Sequence, residues 1–170
     1  MILLFDGELI EHRVKPFIED IQNILNRCGD SDEEFKLDIF FSSDGGVANY
    51  SRVLAEVFNR NRERIRIFLF GGVASAAFDL FFLLENVEVY ITPTFIYGMA
   101  HQGDWSVDVN SNLADIAMDW NKRQNNFWNI VYKSGGISAA ELKLIKKGAD
   151  VYFDRDRMFE IFPHFQEWHR

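Results

Sequence analysis

Apolar positions along the chain fall into short runs and helical stripes that alternate. Ile2 to Phe5 reads as a strand, closed by the turn signal Asp6-Gly7. From Glu11 to Arg27, Val14, Phe17, Ile18, Ile21, Ile24 and Leu25 recur at helical spacing and predict one amphipathic helix. The polar, acidic stretch Cys28 to Glu34 predicts a surface loop. Phe35 to Phe41 reads as the second strand, ended by Ser42-Ser43-Asp44-Gly45-Gly46, and Val47 to Arg62 as a helix with Val53, Leu54, Val57 and Phe58 inward. Ile67 to Phe70 predicts a buried third strand, broken by Gly71 and Gly72, after which small residues lead into an apolar helix. Val87 to Thr92 reads as the fourth strand, stopped by Pro93, with Phe95 to Gly103 irregular. Asn112 to Lys133 predicts a long helix with Leu113, Ile116, Ala117, Trp120, Phe127, Trp128 and Val131 on one side. Ser134-Gly135-Gly136 ends it, Ser138 to Lys147 predicts a further helix, and a mixed tail follows.

Strand and helix alternating at short intervals predict an α/β fold with parallel crossovers. No repeat, low-complexity tract or linker interrupts residues 1–170, so a single domain is expected. In such sheets ligands gather at the carboxyl ends of strands. Gly45-Gly46, Ser75 and His101 all map there: after the second strand, after the third, and downstream of the fourth.

Composition narrows the function classes. The net charge of −8 argues against a nucleic-acid partner, which needs a basic face. Seventeen phenylalanines predict a dense aromatic core or apolar surface for subunit contacts. The one cysteine, Cys28, makes an intrachain disulfide impossible and reads as a structural thiol at a helix end. Met1 to Phe5 is too short for a signal peptide and no run reaches membrane-spanning length, so a cytoplasmic location is expected, with no membrane partner. No Cys/His spacing supports a zinc site, and neither G-x-G-x-x-G nor Walker spacing occurs; no metal or cofactor is expected.

Ser75 stands where a strand turns on small residues into a helix. Such a corner exposes a hydroxyl as a nucleophile; a serine there also serves as an ordinary helix N-cap. His101 supplies a base, because imidazole titrates near neutrality. The backbone N–H groups of Gly45, Gly46 and Ala76 are candidate oxyanion donors. His12, His164 and His169 lie in polar surroundings near the ends, where no role is expected.

The ordered set FFSSDGG, FGGVASAAF and MAHQGDW resembles the ClpP family, the proteolytic subunit of the Clp protease. In that family a Ser-Pro-Gly-Gly turn supplies the oxyanion hole, a Gly-x-Ala-Ser turn the nucleophile and a His-Gln dipeptide the base. The matching positions are Ser43-Asp44-Gly45-Gly46, Gly72-Val73-Ala74-Ser75 and His101-Gln102. The resemblance implies a ClpP/crotonase-like fold of repeated β-β-α units with a projecting long helix, about residues 112–133. It implies a serine protease, a hydrolase cleaving unfolded or short peptides, that assembles as a homo-oligomeric ring. Asp44 replaces the proline of the first turn, and Gly103 replaces the proline after His-Gln. The chain begins at its first strand, which argues against an ATPase partner. Lys146 falls near the triad aspartate's position, and Asp150 is the nearest carboxylate and candidate third member. A Ser-His dyad, a lysine-assisted variant, a catalytically impaired scaffold and a crotonase-like acyl-CoA enzyme stay open as alternatives.

Overall fold

The computed structural model describes residues 1–28, 35–103, 122, 126 and 129–169. The chain divides into two compact units, Met1–Met99 with Tyr152–Arg170, and Ala100–Val151. Among the described residues the fold is mixed α/β around a six-stranded sheet.

In the larger unit, β1 (Ile2–Asp6), β2 (Leu37–Ser43), β3 (Ile65–Ala74) and β4 (Glu88–Ala100) pair in that order, all parallel. The connections are α1 (Glu11–Arg27), α2 (Ala48–Arg60), and α3 (Ala76–Leu80) with a 3-10 turn at Phe81–Leu83. β5 (Val151–Phe153) follows β4 in the sheet, α5 (Arg155–Ile161) comes next, and β6 (Gln166–Glu167) pairs with β4 at Tyr90 and Ile91. Period-2 alternation splits each strand between the two faces. Ile39, Phe41, Ile67, Leu69, Val89 and Ile91 are fully buried toward one side. The inward residues Val14, Phe17, Ile21 and Leu25 of α1 and Leu54 and Phe58 of α2 are buried too. Burying a side chain of Phe41's size stabilises by about 2–3 kcal/mol. Across β2, β3 and β4 the alternate positions stack Phe40, Phe68 and Tyr90 at 5.0 Å spacings, with Trp168 edge-on to Phe68. The aromatic excess is thus spent largely on packing within the unit.

Several expectations are corrected. Gly71 and Gly72 do not break β3, which runs on to Ala74, and Pro93 does not stop β4, which runs on to Ala100. Two successive register shifts account for both. Leu69 faces Ile91, but Gly71 faces Phe95, so Thr92, Pro93 and Thr94 pass the single residue Phe70. Pro93, which has no N–H, therefore sits outside the ladder. Thr92 Oγ1 donates to Leu69 O at 2.8 Å within the bulge. The segment read as irregular from Phe95 is strand as far as Ala100. On α2, Val53 points outward at 45% exposure, and Ser51 and Ala55 are buried instead.

In the smaller unit, residues 129–134 are helical and end on Gly135-Gly136. Ile137 N–H donates to Tyr132 O at 3.0 Å, with Gly136 at φ +87°. Then α4 (Ala139–Ile145) opens on a capping box between Ser138 and Glu141. Tyr132, Ile137 and Ile145 are buried. The expected long helix over 112–133 lies mostly outside the described residues. Among those described, no helix is long and apolar enough to cross a membrane.

Candidate active site

In the larger unit, the site is built on the corner between β3 and α3. Ser75 sits there at φ 54°, ψ −128°, one of two non-glycine residues at positive φ among those described. Holding a side-chain-bearing residue in such a region costs about 1–3 kcal/mol. The corner is fixed from both sides: Ser75 N–H donates to Met99 O at 2.8 Å, and Ser75 O accepts from Asp79 N–H at 3.0 Å. Ser75 is half-buried while Ala74 and Ala76 beside it are buried. Although it occupies the N-cap position of α3, its side chain makes no capping hydrogen bond. The N-cap reading of this serine is therefore overturned.

Gly45 lies directly against the corner. A Cβ on Gly45, at φ +99°, would stand 2.7 Å from both Ser75 Cβ and Ala74 O. Only glycine permits that approach. Its N–H donates to Ser43 Oγ at 3.1 Å, so Gly45 is not an open oxyanion donor; its part is close packing. Gly46, exposed at φ +137°, is pinned through its neighbours: Leu9 N–H donates to Gly45 O at 2.7 Å and Val47 N–H to Leu9 O at 3.0 Å. No acceptor among the described residues takes the Gly46 or Ala76 N–H. Those two donors remain available to an anionic oxygen.

In the smaller unit, His101 follows the end of β4, and its Nδ1 lies 3.3 Å from Asp150 Oδ1. The chain leaves α4 through Gly148, at φ +82°, whose N–H donates to Ile145 O at 2.9 Å. Two residues later it delivers Asp150. The imidazole is 33% exposed and the carboxylate 52%. That carboxylate is wetter than one that must orient a base in a dry pocket, and its hold is correspondingly weaker. A shallow, solvent-open hollow beside His101 is lined by Gln102, Gly103, Asn129, Tyr132, Ile145 and Lys146. Lys146 thus lines the hollow, and Asp150 is the group that faces the imidazole.

One residue near this corner, Tyr97, escaped the sequence reading. Tyr97 Oη donates to Asp44 Oδ1 at 3.2 Å, and burial together with the Asp44 charge pushes the Tyr97 phenol up from its ordinary value. Tyr97 lies in the segment expected to be irregular; the strand alternation that continues past Pro93 is the signal for it. Among the described residues no group of three or more His, Cys, Asp or Glu is placed to hold a metal ion.

No protein-family model matches the chain, and no curated protein matches its sequence.

Proposed function

We propose that the chain is a ClpP-like serine peptidase, a homo-oligomeric ring hydrolase that cleaves unfolded or short peptides through an acyl-enzyme. The observation that carries this reading is Ser75: a half-exposed serine in a costly backbone conformation, at a strand–helix corner, that does not cap its helix. Strain of this kind at a half-exposed serine is the mark of a nucleophile elbow. Ser75 Oγ attacks the peptide carbonyl, and the Gly46 and Ala76 N–H groups receive the oxyanion. His101 accepts the hydroxyl proton and returns it to the leaving amine; water, deprotonated by the same imidazole, then releases the acyl group. Asp150 orients the imidazole and offsets its charge. The chemistry requires His101 Nε2 to come within hydrogen-bond reach of Ser75 Oγ.

Hydrolysis of a fluorogenic peptide library tests the reading. Ser75→Ala is expected to reduce turnover to background, and His101→Gln by about 10²–10⁴-fold. Asp150→Asn is expected to cost less than the roughly 10⁴-fold loss seen when a fully buried triad aspartate is amidated, because Asp150 is 52% exposed. Turnover unchanged in Ser75→Ala would overturn it. The exposure of Asp150 also favours a second reading, a catalytically impaired ClpP-like scaffold, for which no variant or substrate would show turnover.

A further inference from the structure

Several carboxylates on this chain have their own cations. Glu11 pairs with Lys15, Asp38 with Arg66, Glu56 with Arg60, Glu88 with Lys36, Glu160 with Arg157 and Glu167 with Arg155. Asp44 is not among them. It is exposed, and among the described residues its partner is the Tyr97 hydroxyl, with no lysine or arginine beside it. It also occupies the residue before Gly45, whose Cα side rests on Ser75 Cβ. A fixed negative charge there opposes the oxyanion that the corner is built to hold. A cation supplied by the substrate would remove that opposition.

The surroundings suit such a cation. Tyr97 is locked in place: a Cβ on Gly72 would lie 2.6 Å from its Cζ, so the ring lies flush on that glycine. Its other neighbour is Tyr152, ring centroids 5.5 Å apart at 64°. Tyr152 is 61% exposed, an unusual position for a large aromatic, and presents its electron-rich ring to solvent. A carboxylate, a phenol held as its hydrogen-bond donor and an open aromatic ring together form a surface that attracts ammonium or guanidinium groups.

We propose that Asp44, Tyr97 and Tyr152 form a subsite for a cationic side chain of the substrate, a lysine or arginine within about two residues of the scissile bond. The inference rests on the peptidase reading and narrows its substrate class. One residue separates Asp44 from Gly46, whose N–H faces the reacting oxygen in that reading. An extended peptide advances about 3.5 Å per residue, and a lysine side chain covers the remaining gap. Recognition is by charge and ring together, so aliphatic side chains of similar length gain only the ring contact.

Binding to the Ser75→Ala protein isolates the subsite from turnover. Three fluorescent peptides are compared by anisotropy, identical except for lysine, norleucine or glutamate at one position. The lysine peptide is expected to bind about tenfold tighter than norleucine, and glutamate weakest. Adding Asp44→Asn, an exposed and nearly isosteric change, should bring lysine and norleucine within about twofold; adding Tyr152→Ala should cost lysine about threefold. Equal affinities in the Ser75→Ala protein would overturn the subsite. A lysine preference that survives Asp44→Asn would do the same and assign the preference to the overall charge of −8. The two readings fail separately. Turnover of neutral peptides without a lysine preference sinks the subsite alone, and an Asp44-dependent preference in a protein that never turns over sinks the peptidase alone.

Discussion

At Ser75 a side chain is kept where glycine would be at ease. The backbone at φ 54°, ψ −128° is open to glycine and strained for serine. Ser75→Gly should therefore unfold at higher denaturant than Ser75→Ala, by about 1 kcal/mol, since alanine retains the strain and glycine releases it. Both should be inactive. Urea unfolding of the two variants checks this, and a more stable alanine variant would show that the corner carries no strain. The serine's position was legible from the run of small residues after a buried strand. Its dihedral angles were not, because they come from Met99 O and Asp79 N–H, which a local pattern does not contain.

Among elements, β3 and β4 show where pattern reading stops. Glycine pairs and proline punctuate strands when the strand stands alone. Here two successive register shifts between the strands absorb Gly71, Gly72 and Pro93, and regular pairing resumes at Gly72–Tyr97. That continuation carries Tyr97 and Met99 to the corner, so the misread strand also hid part of the site. Val53 was misplaced for a related reason: helical spacing places it beside Leu54, but burial selects Ser51, Ala55 and Phe58 with Leu54. By contrast α4 was legible, because its start is written locally in Ser138 and Glu141. Ser138→Ala should destabilise the smaller unit by about 1 kcal/mol through loss of the cap, read by amide hydrogen exchange across α4. Unchanged protection of α4 would contradict that assignment.

For the molecule as a whole, acid stability offers a signed prediction. Burial pushes the Glu88 carboxyl up, but Lys36, the Tyr90 hydroxyl and Arg66 together outweigh it and hold it below its ordinary value of 4.5. A carboxylate lowered by folding contributes its stabilisation in full above about pH 4.5, and loses it as pH falls through the folded value. Glu88→Gln should thus cost up to about 1 kcal/mol at pH 7, the two proteins converging as pH falls below the folded value. Urea midpoints at pH 7, 5 and 3 read this out, and a constant difference across all three would refute it. The parallel α/β sheet was legible from strand–helix alternation, whereas the division into two compact units carried no mark such as a polar linker.

The central claim is that Ser75 is an activated nucleophile with His101 as its base, and covalent capture tests it most directly. The protein is treated with a fluorophosphonate and the adduct mapped by mass spectrometry. The account predicts one adduct, on Ser75, absent in Ser75→Ala and formed about 10²-fold more slowly in His101→Gln. An adduct on another residue, no adduct at all, or a rate indifferent to His101 would contradict it.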